Sequence, residues 1–235
     1  VAGATDGALF VSDWNSGTNA RNSGNGEGAI FRIARKGQSV NPPEIDFNTT
    51  KGLLEALKSP APGVRWVAQD RLKKTEDVYP DIAAFFEVNT ANPYYQARAV
   101  FLLAQLDDEQ PTADVKELLE SDDPQWRITA FLALRFGERE SLLPLVEQLA
   151  DDPYPAVRRE ILAVMRDMEF EEIRESLETL IAGYDGQNRW YLEALGAVFD
   201  EHRDAVYEQI VKLQQPDPTQ WNERQQNLAW RLRSP

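Results

Sequence analysis

The chain has 235 residues, 42% hydrophobic and 27% charged, enough for one large core or two small ones. Its net charge of −14 argues against binding to phosphate backbones, and the absence of cysteine excludes disulfides, thiolate zinc sites and covalent haem attachment within these residues. No apolar run approaches the roughly 18 residues that cross a bilayer, and no signal peptide is evident.

The first elements in chain order are β-type. Gly7–Trp14 and Gly28–Arg35 alternate apolar with small or polar residues, which predicts a two-stranded antiparallel hairpin. The Gly/Asn/Ser-rich stretch between them is a polar loop. Asp13, Asn15, Asn19 and Glu27 could offer oxygens to a calcium ion there, but the spacing is not that of an EF-hand and turn geometry accounts for these residue types, so no metal is expected. A lone hairpin is marginal in water and must pack on something. Gly37–Asn48, with Pro42 and Pro43, reads as an extended linker. Residues 1–45 are thus assigned to a hairpin and linker, and 46–235 to a helical domain. The first segment holds four acids and four bases, so the whole −14 falls on the second, with 35 acids against 21 bases. The start at Val1, on a sequence that reads as mid-fold, suggests a fragment or a processed product.

From about Thr49 the apolar period changes from two to 3.6. First helices are marked by Leu53/Leu54/Leu57, Ile82/Phe85/Phe86, Val115/Leu118/Leu119, Leu142/Leu145/Val146/Leu149, Ile173/Leu177/Leu180/Ile181 and Val206/Ile210/Leu213. Each is followed by a turn rich in Asp, Asn, Ser, Pro or Gly (SPAPG, ANP, SDDP, DDPYP, YDGQN, QPDP), which caps and opens a second helix. Six helix pairs follow.

The second helices carry an arginine near their start. Arg65, Arg98, Arg127, Arg158 and Arg189 are separated by 33, 29, 31 and 31 residues, with a looser sixth copy around Arg224. Self-similarity at this period predicts stacked helix pairs, none able to bury its apolar face alone. The arginines are expected to be structural, pairing with acids such as Asp122, Asp123, Asp151, Asp152 and Asp185 and capping neighbouring turns. The segments SDDPQWRITAFLALRFGE and DDPYPAVRREILAVM resemble HEAT or HEAT-like repeats, and the resemblance runs from about Thr49 to the C-terminus. It implies an all-α superhelix preceded by the short β-hairpin.

A narrower resemblance covers the opening segment. DGALFVSDWNSGTNARNSGNGEGAIFRIARKG is similar to the closing strands of a sugar-dehydrogenase-like β-propeller, and YDGQNRWYLEALGAVFD to the HEAT region that follows such propellers. Exported proteins of planctomycete-type bacteria join these parts, often to a haem domain. That resemblance implies an exported or periplasmic location and a parent oxidoreductase whose active site lies outside this chain.

Catalytic candidates have simpler readings. His202 is the one histidine and reads as a solvated turn residue. Ser121, Ser141 and Ser176 lack a histidine partner and read as caps or surface. The acid pairs Asp107/Asp108, Asp151/Asp152 and Glu171/Glu172 stand at turns and helix starts, where negative charge is stabilised. Trp66, Trp126 and Trp190, each beside a repeat arginine, are expected to pack between repeats, and Tyr154, Tyr184 and Tyr191 to form an aromatic rim suited to a protein partner. No catalytic residue, cofactor or metal is assigned. The expected function is a scaffold that docks a protein or neighbouring domain of basic or mixed surface on a concave face lined by second helices, with no nucleic acid and no membrane insertion. Gln69, Arg135, Arg166 and Glu193 are its candidate contact residues. The alternative is an accessory module of a periplasmic quinoprotein or sugar-dehydrogenase-like oxidoreductase. A HEAT-like bilin lyase would need a polar-lined pigment pocket that nothing in the sequence requires.

Overall fold

A computed structural model describes residues 1–13, 29–37, 43–137, 141–202, 205–207 and 217–231. The chain divides into two compact units, Val1–Asp107 and Asp108–Pro235.

The first unit opens with a three-stranded antiparallel sheet, β1 (Ala2–Gly3), β2 (Leu9–Asp13) and β3 (Ala29–Ile33), in the order β1-β2-β3. The hairpin expected from the sequence therefore carries a third strand, which at two residues is too short for a period-2 signal. Gly7 makes the β1–β2 turn at φ 82°, where a side chain is disfavoured. Asp6 fixes that turn by accepting the Ala8 N–H at 3.0 Å and pairing with Arg32 across the sheet. Register pairs Leu9 with Ile33 and Val11 with Phe31 on one face. Leu9, Phe31 and Ile33 are nonetheless exposed. The sheet meets the helices at its edge, where Gly3 passes close to Pro60 and Pro62.

Four helices complete this unit: α1 (Thr50–Ala56), α2 (Pro62–Leu72), α3 (Tyr79–Val88) and α4 (Pro93–Leu103). Side-chain caps start α1 and α4, and a proline stands in the first turn of α2 and α3. Thr49 Oγ1 accepts the Gly52 N–H at 3.1 Å, and Asn92 Oδ1 accepts from Tyr94 and Tyr95 while Pro93 takes the first helical position. α1 packs on α2 and α3 on α4. Leu57, Leu72, Ile82, Val100 and Leu102 are fully buried between them, and burying such a side chain stabilises by about 1.5–3 kcal/mol.

The second unit holds α5 (Glu109–Glu117), which tightens into a 3₁₀ turn at Leu118–Glu120, then α6 (Pro124–Gly137), α7 (Leu143–Leu149), α8 (Pro155–Met165), α9 (Phe170–Ala182), α10 (Arg189–Glu201) and α11 (Glu223–Arg231). α5 packs on α6 and α7 on α8. The second helices also pack on one another, α6 on α8, α8 on α10 and α10 on α11. Phe131, Ile161, Leu162, Met165, Ile173, Leu177, Leu195 and Phe199 form the core. This is a helical-repeat fold: each helix leaves an apolar stripe that only its neighbours cover. Of the first helix expected around Val206, Ile210 and Leu213, only residues 205–207 are described, and Val206 is buried. The loop carrying Asn15, Asn19 and Glu27 lies outside the described residues, as do residues 38–42 of the Gly37–Asn48 linker.

Candidate functional site

The last carbonyls of a helix have no partner within it, and the helix dipole makes that end negative, so cationic donors are favoured there. In this protein the carbonyls ending each described first helix receive a side chain from a second helix. Arg65 Nη1 donates to the carbonyls of Ser59 and Pro60, both at 2.8 Å, just beyond α1. Arg98, from α4, donates to the carbonyl of Leu57 at the end of α1. After α3 the donor is an amide, Gln96 Nε2, which reaches Phe86 O at 3.1 Å. Arg127 Nη1 donates to the carbonyls of Ser121 and Asp122, and Arg158 to those of Asp152 and, at 2.9 Å, Gly183. Arg224, from α11, donates to Tyr184 and Ile181 at 2.7 Å and to Ala182 at 3.1 Å. Backbone carbonyls, more than the carboxylates expected from the sequence, are the acceptors of this ladder.

One rung has an acid. Arg127 Nε and Nη2 hold the two oxygens of Asp152 at 2.7 and 3.0 Å, a bidentate pair, and both residues are buried. The hydrogen bonds to Asp152 hold the Arg127 guanidinium above its ordinary pKa. Asp152 Oδ1 also accepts the Tyr154 N–H at 2.8 Å, which fixes the start of α8. Aromatic rings continue the ladder: Arg127 lies 5.3 Å from the centre of the Tyr154 ring, Arg158 5.3 Å from that of Tyr191, and Tyr191 stacks on Tyr184 at 6.1 Å. The Tyr191 hydroxyl accepts from Arg158 Nε at 3.2 Å and donates to Leu180 O at 2.8 Å, and burial raises its pKa. Gly186 has φ 87°, and a Cβ there would lie 2.9 Å from Arg224 Cβ, so the turn needs glycine for conformation and for room.

Arg189 stands apart from the other repeat arginines. It is the first residue of α10, exposed, with Nε 3.7 Å from Glu193, and the α9–α10 turn is closed instead by Arg158, Tyr191 and Arg224. The candidate contact residues are dispersed. Gln69 lies half-buried on α2 in the first unit. In the second unit Arg135 is exposed, Arg166 pairs with Glu201 at 3.2 Å, and Glu193 pairs with Arg231 at 3.3 Å. Arg231 also donates to Asp200 at 3.0 Å and crosses α10 directly over Gly196. No sequence argument singled out this clasp, although Glu193, Gly196 and Asp200 share one helical face.

The tryptophans depart from expectation. Trp66 is 66% and Trp190 73% exposed, so neither packs between repeats, while Trp126 is half-buried. Tyr184 and Tyr191 are buried, leaving Tyr154 as the exposed member of the expected tyrosine rim. Ser176 is buried rather than at the surface, and His202 is half-buried with its ring 5.6 Å from that of Phe170. Ser121 and Ser141 accept backbone N–H groups two residues on, as turn residues do.

Between the α5–α6 and α7–α8 turns lies an open groove of about 650 Å³. Arg127, Asp152 and Tyr154 line it with Glu120, Asp122 and Asp151. Among the described residues no group of three His, Asp or Glu side chains is placed to hold a metal ion, and no helix is long and apolar enough to cross a membrane.

A family model for HEAT repeats matches residues 82–166, so this stretch is similar to HEAT repeats. No curated protein and no solved structure matches the chain.

Proposed function

We propose that this chain is a non-catalytic scaffold that docks a partner protein, or a neighbouring domain, of basic or mixed surface through its helical-repeat part. HEAT repeats commonly serve as protein-interaction scaffolds. The observation that carries the reading is the direction of the charges. Arg65, Arg98, Arg127, Arg158 and Arg224 are bound to the carbonyls of the turns, while Asp122, Asp123, Asp151 and Asp185 at those turns are exposed. Those five arginines are turned onto backbone carbonyls while these four acids of the same turns face solvent, and the helical part as a whole carries the net −14. Exposed Trp66, Tyr94, Tyr154 and Trp190 near the starts of second helices add the residue types that dominate interface energetics. The same surface disfavours nucleic acid.

The test is retention of proteins from a cell extract on the immobilised chain, with cross-links mapped by residue, at about 0.05 and about 0.5 M salt. Retained proteins should be basic, should cross-link to the helical part rather than to residues 1–45, and should elute at high salt. Retention indifferent to salt, or cross-links confined to residues 1–45, would refute the proposal.

A second reading, an accessory module of an exported oxidoreductase acting elsewhere in a longer protein, is favoured by the exposed Leu9, Phe31 and Ile33 on one sheet face, which further β-structure would cover. The reading frame flanking the chain decides it, since this reading requires upstream propeller blades.

A further inference from the structure

We propose that Arg65 and Arg98, at the end of α1, form a binding site for a carboxylate that the first unit does not itself supply. The site goes beyond the acidic docking surface. Residues 1–107 hold 12 acids and 11 bases, so an anion approaching this unit meets almost no net charge.

Arg65 and Arg127 occupy the same place in their repeats, three residues after the proline that opens the helix. Each donates through Nη1 to the carbonyls six and five residues before it, Ser59 and Pro60 in one case and Ser121 and Asp122 in the other. They differ at the other edge of the guanidinium, Nε and Nη2. In Arg127 that edge clamps Asp152, which lies 25 residues further on and two before Tyr154, the residue preceding α8. The corresponding residue for Arg65 is Thr90, also two before the residue preceding α4, and it carries no charge. Among the described residues the Nε and Nη2 edge of Arg65 makes no hydrogen bond and no ion pair.

A second cation stands at the same turn. Arg98 donates through Nη1 to Leu57 O, two residues before the Ser59 carbonyl that Arg65 holds, and lies 5.2 Å from the centre of the Tyr95 ring. It too makes no ion pair among the described residues. Burial, and then the charge of Arg65, lower its pKa. The two guanidiniums therefore repel each other without an acid to offset them. Both are half-buried, where such repulsion is less screened than in open water. The planar N–H fork of an arginine fits a carboxylate in two places at once. A carboxylate arriving here completes the rung as Asp152 does in the second unit, and relieves the repulsion.

The probe is sodium acetate, titrated against the full chain with sodium chloride of equal ionic strength as reference, while the arginine Nε–H resonances are followed by NMR. Acetate should move those of Arg65 and Arg98 and leave that of Arg224, already bonded to Tyr184 O, in place. Thr90→Asp sets a carboxylate where the repeat has Asp152, at an exposed position that does not threaten folding. It should raise the urea midpoint and abolish the acetate shifts. Arg98→Gln should weaken acetate by about tenfold, and Lys36→Gln, an equal charge change at an exposed position, by no more than about twofold. A peptide with one glutamate and both ends blocked separates the sources of the carboxylate. Tighter binding than acetate assigns the site to an acidic side chain of a partner chain, and equal binding to a free carboxylate anion. Shifts at neither arginine beyond those in chloride, or an acetate response unchanged in Thr90→Asp and Arg98→Gln, would overturn the site.

Discussion

At the scale of single residues, the Arg127–Asp152 pair is the most sensitive point in the second unit. Removing Arg127 leaves a buried carboxylate without its partner, so Arg127→Ala should cost about 3–5 kcal/mol. Arg158 acts through hydrogen bonds to carbonyls nearer solvent, and Arg158→Ala should cost about 1–3 kcal/mol. Urea denaturation of both variants checks the order, and a milder effect at Arg127 would contradict the buried pair. Gly196 makes a different prediction. A methyl group there would occupy the space of the Arg231 guanidinium, so Gly196→Ala should displace the clasp to Glu193 and Asp200 and cost about 1–3 kcal/mol. Because alanine favours helix over glycine, an unchanged or raised midpoint would show that the clasp contributes nothing.

At the scale of elements, turns and helix starts are built on carboxylates. Asp185 accepts the backbone N–H groups of Gln187 and Asn188, both at 2.8 Å, and these donors hold its pKa below the ordinary 3.8. A carboxyl depressed in the folded state contributes stability above its unfolded pKa and loses it as pH falls through the folded value. Stability should therefore decline on acidification below the ordinary 3.8 of Asp185, and Asp185→Asn should show a shallower decline. Identical acid profiles would remove Asp185 from the account. The sheet, with Leu9, Phe31 and Ile33 exposed, should exchange its β2 amides faster than α6 exchanges those of Phe131–Leu134, and equal protection would make it an integral cap of the first unit. These elements also show how far the sequence can be read. The helix pairs were legible because a turn of fixed chemistry and a 3.6-residue stripe agree in each. β1 was not, since Ala2–Gly3 carries no pattern. Arg189 was misplaced because the Gly186–Asn188 turn sets the start of α10 at Arg189 itself, whereas Arg65, Arg127 and Arg158 each follow the first helical residue, a proline, by three. Gln96 escaped because an amide in an arginine's role breaks the identity that defines the repeat. The carbonyl acceptors were invisible for a simpler reason: the backbone has no letter.

At the scale of the molecule, Arg65, Arg98, Arg127, Arg158 and Arg224 donate to backbone carbonyls while Asp122, Asp123, Asp151 and Asp185 are exposed. Exposed charges of this kind act chiefly on the rate of encounter, and salt screens them over about 8 Å at physiological ionic strength. The most direct test is therefore the association rate constant between this chain and a basic protein retained by it, measured by stopped flow from about 0.05 to about 0.5 M salt. The account predicts a fall of at least about tenfold, with the dissociation rate much less affected. An association rate independent of salt would contradict it, because the acidic repeat surface would then play no part in bringing the partner in.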